Sequence, residues 1–287
     1  MRITNSMLTA QTLRDLQSNY AAMAKAQEQV SSGKRLNRPS DGPADTQAAI
    51  KLNQSLASMA QYLRNVGTAQ GYTSAAETAL SSAGDAIQRL KELSLQAAND
   101  TLSASDRQGI LEEVQQLSDQ LVSLANAKNG DDYLFSGQKT STAPYASATG
   151  AYQGDGNPIG ARISQGVTLQ VNVTADTAFG PALAAASALA ADLGAGNKPQ
   201  AATIAGLDDA LTAALNARTR IGAIDNRLTD AQTFLTDTQQ TSTAQLSTLQ
   251  DADLPTVITE ATTRQTTYQA AISVNAKILQ KTLVDEL

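Results

Sequence analysis

The sequence predicts a mainly α protein, an elongated antiparallel helical bundle whose N- and C-terminal helices pair as a coiled coil, with a small β-rich insertion. Three observations predict it. Leu13, Leu16, Tyr20, Met23, Gln27 and Val30 alternate three and four residues apart, the a/d seam of a helix that lies along another helix. Leu254, Ile258, Ala261, Gln265, Tyr268, Ile272, Asn275 and Leu279 repeat that alternation at the other end and supply the partner. Aromatic residues make up only 3% of the 287 residues and Trp is absent, while 41% are hydrophobic, a balance that suits helices touching along narrow seams.

Between the ends the elements run in order. Leu52, Leu56, Met59, Leu63 and Val66 begin a seam that continues through Gln70, Thr73, Glu77 and Leu80 toward Ile87, one long rod with a polar middle. Ser103, with Asp106 three residues on, reads as the capping box of a second rod, whose seam is Ile110, Val114, Leu117, Leu121 and Leu124. Asn129-Gly130 ends it in a turn. From about 133 to 180 the period changes: Val167, Leu169, Val171 and Val173 alternate with Thr168, Gln170 and Asn172, the pattern of a half-buried strand. An Ala-rich helix over 182–192, a "GAGNKPQ" turn and a helix seam through Ile221, Ile224, Leu228, Ala231 and Leu235 lead back to the C-terminal helix. The expected division is a terminal coiled coil (1–43 and 250–287), a long-helix rod (44–137 and 182–249) and a small β-rich outer domain (138–181).

Composition excludes several classes of function. Net charge is -6, so the chain as a whole does not attract nucleic acid or an anionic membrane. Without Cys there are no disulfides and no thiolate chemistry, and without His the usual base near neutral pH and the commonest metal ligand are missing. No metal, cofactor or catalytic residue is expected, and the protein reads as a non-enzyme. The first residues lack the apolar core of a secretory signal, and no run reaches the ~18 apolar residues of a membrane span. The ends carry complementary charge: residues 1–40 hold six basic and two acidic side chains, residues 250–287 three basic and five acidic.

"SSGKRLNRPSDGPAD" at 31–45 is the one basic cluster. As a nucleic-acid arm it lacks aromatics for stacking and sits in an acidic protein. As a bend it is mechanically apt: Gly33 tolerates positive φ, Pro39 stops a helix, Ser40 or Asp41 can cap the next helix, and Arg35 and Arg38 complete the joint. "GDGNPIG" at 154–160 has GxGxxxG spacing and precedes a strand, so it reads as a β-turn rather than a phosphate loop. The carboxylate pairs Glu112-Glu113 and Asp208-Asp209 read as solvated helix faces. The diluted seams, with Gln, Thr, Asn and Ala at many positions, leave a two-helix pair marginal alone and favour contact among many copies over internal packing. The assembly seam expected on these grounds comprises Leu13, Leu16, Tyr20, Met23, Val30, Leu254, Ile258, Tyr268, Ile272 and Leu279.

The opening "MRITNSML", the bend, "LSASDR", "LANAKNGDDYLFSG" and the returning C-terminal helix together resemble the flagellin superfamily over nearly the whole chain, most strongly over 1–137. Filament subunits of that superfamily typically read "LSSGLRINSAKDD" at the bend. The "GKRLNRPSD" form and "YLFSG" here are more similar to the members that join hook to filament. The resemblance implies export through the flagellar type III apparatus without a cleaved signal peptide, and a chaperone holding the C-terminal helices beforehand. It further implies self-association in a ring between hook-associated protein 1 and flagellin, with Leu13–Val30 and Ile258–Leu279 as the inner coiled coil. The alternatives are a short flagellin that forms the filament itself and an unrelated coiled-coil binding module.

Overall fold

The computed structural model describes residues 5–99 and 102–284, apart from the side chains of 5, 6, 8 and 277–284. Among them are seven α-helices and two β-hairpins: α1 (Asn5–Ser32), α2 (Pro43–Ala97), α3 (Ala104–Ala125), β1 (Lys128–Asn129), β2 (Asp132–Tyr133), β3 (Gly160–Ser164), β4 (Val167–Gln170), α4 (Ala175–Ala178), α5 (Gly180–Gly194), α6 (Ala201–Gln250) and α7 (Leu254–Val284). The chain divides into two compact units, residues 1–58 with 238–287 and residues 59–237. The helices α2 and α6 each contribute to both.

The central unit, 59–237, holds nearly all of the apolar core. Leu80, Ile87, Leu90 and Leu93 of α2, Leu121 of α3, Leu189 of α5, and Leu207, Ile221 and Leu228 of α6 are buried together with Phe135 and Phe179, whose rings meet edge to face at 5.0 Å. Rows of Ala let the helices approach closely: Ala76, Ala79, Ala83 and Ala86 on α2, and Ala210, Ala214 and Ala217 on α6, are all buried. Polar ties set the directions. Arg218 bonds Glu77 at 2.6 Å, Thr73 donates to Asp225 at 3.0 Å and Lys91 pairs with Asp208, so α6 runs antiparallel to α2. Arg89 of α2 holds Glu113 of α3 at 2.7 Å.

The capping box of α3 forms as its spacing predicts. Ser103 Oγ accepts from the Asp106 amide, and Asp106 Oδ2 accepts from the Ser103 amide, 3.2 and 3.1 Å. The β insertion departs from the expected strands. Leu169, Val171 and Val173 are buried as expected, but Val167 is 43% exposed, Asn172 is buried between its apolar neighbours, and the β4 ladder ends at Gln170. The cause is Asn172, whose buried amide accepts from the Ile159 N–H and donates to the Asn157 carbonyl, replacing ladder bonds with side-chain bonds. The "YLFSG" stretch begins in β2 and continues in turns, with the Phe135 carbonyl accepting from the Ala175 amide.

Candidate assembly site at the terminal helices

Within the terminal unit, α1 and α7 pack against each other. A backbone bridge between Lys34 and Asp251 at one end, and the rings of Tyr20 and Tyr268 at 5.7 Å further along, fix the pair as antiparallel. On α1 the half-buried or buried positions are Thr12, Leu16, Asn19, Met23, Ala26 and Val30, spaced by four and three, together with Ala22, Glu28 and Gln29. On α7 the covered positions are Val257, Ala261, Tyr268, Ala271 and Asn275. Only Ala26 in these stripes is fully buried. The stripe thus mixes Leu16, Met23, Val30, Val257 and Tyr268 with small and polar side chains, and all but Ala26 keep part of their surface in water.

The seam residues expected from the sequence divide accordingly. Leu16, Met23, Val30 and Tyr268 lie half-buried in the contact stripe. Leu13, Tyr20, Leu254, Ile258 and Ile272 lie beside it and remain 44 to 55% exposed. Leu279 is in α7, but its side chain lies outside the described residues. The offset arises from helix geometry. At 100° per residue, Leu13 and Tyr20 sit 80–100° round from Thr12, and Leu254, Ile258 and Ile272 sit 60–100° round from Val257. In an antiparallel pair the same sense of rotation carries both sets to one side, so they form a single apolar flank. The sequence seam included Ala261 and Asn275 of the stripe and missed Thr12, Asn19 and Ala26, small or polar positions with little hydrophobic signal, and Val257, which lies one residue from the chosen Ile258.

At the bend, Gly33 takes φ +67°, and Pro39–Asp41 form a 3-10 turn. Asp41 is spent on that turn instead of capping α2: its carboxylate accepts from the Arg38 amide at 2.9 Å and the Asn37 amide at 3.3 Å, and it pairs with Lys25 of α1 at 2.8 Å. The Lys25 bond, then the Arg38 amide, hold the Asp41 carboxyl below its ordinary pKa. Ser40 lies within the same turn. Arg38 reaches back to Glu28 of α1 at 3.0 Å. Arg35 Nη2 donates both to Asp45 in the first turn of α2 and to the Leu249 carbonyl at the end of α6, each at 2.8 Å. Every basic side chain placed here is thus engaged within the chain except Lys34, whose backbone makes the bridge to Asp251.

Other sequence candidates serve structure. Asp208 and Glu113 are partners of Lys91 and Arg89. In "GDGNPIG", burial opposes ionisation of Asp155, yet N–H donors from Gln138 and Asn157 keep its carboxyl below the ordinary value, which makes it a loop tie.

The bacterial flagellin N-terminal helical region matches residues 3–140, and the bacterial flagellin C-terminal helical region matches residues 204–285. The chain belongs to the flagellin family. Flagellar hook-associated protein 3 of Escherichia coli (strain K12) is 30% identical, with 94% of this chain and 95% of that protein covered. The flagellin of Bacillus subtilis (strain 168) is 27% identical, covering 98% and 97%. A solved structure of a flagellar hook-associated protein from Vibrio parahaemolyticus superposes with a TM-score of 0.65 at 26% identity, over 73% of this chain and 99% of that one. The two family regions take in the terminal helices, and the relatives are structural parts of the bacterial flagellum.

Proposed function

We propose that the chain is a structural, non-catalytic subunit of the bacterial flagellum that joins hook-associated protein 1 to the flagellin filament. The observation that carries an assembly role is the apolar flank of the α1/α7 pair: Leu13, Tyr20, Leu254, Ile258 and Ile272 stay exposed beside a contact too thin to stabilise two helices on its own. Further copies, ordered in a ring, cover that flank and bury the residues that one chain leaves in water. Identity of 30% across nearly the full length of a hook-associated protein 3 favours the junction position. On this reading the subunit is secreted without a cleaved signal peptide, and a flagellar export chaperone shields the C-terminal helices until assembly. The terminal coiled coil (1–43 and 250–287) is the inner core, the long-helix rod (44–137 and 182–249) the next layer, and 138–181 the outer domain.

The rival is a short flagellin, favoured by the near-complete coverage of the Bacillus subtilis protein at 27% identity. Deleting the gene in its motile host separates the two. Hooks that persist on the cell while flagellin leaks into the medium support the junction role. Loss of the filament protein itself, with nothing secreted, makes this chain the flagellin.

A further inference from the structure

Two helix breaks lie side by side in the terminal unit. One separates α1 from α2 at 33–42 and the other separates α6 from α7 at 251–253. Taken alone, each is a pivot. Gly33 has positive φ with open space around its Cα, and only three residues link α6 to α7. Two free pivots would leave the directions of α1 and α7 coupled through their thin packing alone. They are tied instead: the Arg35 amide donates to the Gln250 carbonyl at 2.7 Å and the Ala252 amide to the Gly33 carbonyl at 2.9 Å, one rung on either side of the Lys34–Asp251 bridge.

Side chains lock the same place from three directions. Lys25–Asp41 and Glu28–Arg38 hold the connector to α1. Arg35 holds it to the first turn of α2 and to the last turn of α6, where a cation also complements the partial negative charge of the helix end. Gln29 of α1 donates to the Arg35 carbonyl at 3.1 Å, and Ser247 of α6 bonds the Asp251 carboxylate at 2.6 Å. The single side chain of Arg35 thus bonds both the N-terminal and the C-terminal half at the joint. We propose that the bend is an electrostatic latch, with Arg35 as its positioning residue, that couples the two breaks so that α1 and α7 change direction together.

Two of the three ion pairs are solvent-facing, while in Lys25–Asp41 the Asp41 side chain is 12% exposed. The Arg35 and Asp45 side chains are 48% and 40% exposed, and those of Arg38 and Glu28 are 69% and 39% exposed. Salt therefore screens the latch: the Debye length falls from about 30 Å at 0.01 M to about 3 Å at 1 M. A latch of this kind opens at small cost, as a joint that must settle at one angle within an assembly requires. The inference concerns the joint alone and is independent of where in the flagellum the subunit sits.

Amide hydrogen exchange of the full chain tests it, read at Ala252 and at residue 35 in about 0.01 M and 1 M sodium chloride. In the wild-type chain both amides are protected, and exchange speeds up about three- to fivefold at high salt, the effect of losing one exposed charge interaction. Arg35→Ala shows that faster exchange at Ala252 already at low salt and loses most of the salt dependence. Asp45→Asn, which leaves the Leu249 bond in place, falls between. Amides over residues 80–93 serve as the control for folding and stay unchanged. An unprotected Ala252 amide in the wild-type chain, or an Arg35→Ala chain whose Ala252 exchange and salt dependence match the wild type, overturns the proposal.

Discussion

Gly137 shows how little room some loop residues have. It sits at φ +68°, and an added Cβ would overlap the carboxylate and carbonyl oxygens of Asp155, two atoms fixed by their own hydrogen bonds. Gly137→Ala is expected to destabilise the central unit by on the order of 2–4 kcal/mol, combining backbone strain with overlap that cannot relax; a drop in the urea midpoint of that unit checks it. Ionisable residues set a second expectation. Asp41, Asp106 and Asp192 have carboxyls held below the usual value of 3.8, through Lys25, the Ser103 hydroxyl and the Gln200 amide respectively. Their contribution is complete above that value and disappears as pH falls through the lower folded pKa values. Burial pushes Tyr145 and Tyr152 up to about 12, so their neutral forms favour the folded chain below pH 10, and that contribution is lost as pH climbs from 10 toward 12. With no histidine between these limits, stability measured by urea unfolding should be flat from about pH 5 to pH 9 and fall on both sides. A transition near pH 6.5 would contradict this.

At the scale of the element, the terminal helices use two faces for two purposes, and substitutions should tell them apart. Ile272 is 44% exposed, so Ile272→Asp should alter unfolding of the free chain by no more than about 0.5 kcal/mol. In the assembly the same carboxylate becomes buried without a partner, which costs several kcal/mol and should abolish incorporation into the flagellum. Leu16→Asp, placed in the α1/α7 stripe itself, should loosen the helix pair in the free chain while circular dichroism still reports a folded central unit. Collapse of the whole helical signal in either variant would mean that the ends belong to the main core. The same two faces explain what the sequence could reveal. Large apolar residues at Leu13, Tyr20, Ile258 and Ile272 announce themselves by spacing; the small residues that allow close approach do not. The seam of α6 is legible over 221–235 and fades upstream, where Leu207 is followed by Ala210, Ala214 and Ala217, which carry little hydrophobic contrast. The capping box at Ser103 and the positive φ of Gly33 were legible because their cause is local. The latch at Arg35 was not, since its partners lie 10 and 214 residues away.

For the molecule as a whole, core is shared unequally. Leu80, Ile87, Leu90, Phe135, Phe179, Leu189 and Leu228 are all in the central unit, whereas the buried apolar residues among the described part of the terminal unit are Ala26, Leu36 and Ala49. Three small patches of buried area cannot offset the conformational entropy of ordering two helices of 28 and 31 residues. Local stability should therefore be graded, with the terminal unit the low end. The pattern expected in hydrogen exchange of the dilute free chain is slow exchange over 80–93 and 110–121, intermediate exchange at the bend where Arg35 and Ala252 are bonded, and exchange that quickens along α1 toward residue 5. Assembly should reverse this order for α1 and α7, because neighbouring copies supply the apolar contacts that one chain lacks and binding only the folded form stabilises it. Uniformly slow exchange over residues 5–30 in the dilute chain would show that the helix pair stands without neighbours, and the flank of Leu13, Tyr20 and Ile272 would then no longer need other copies to explain it.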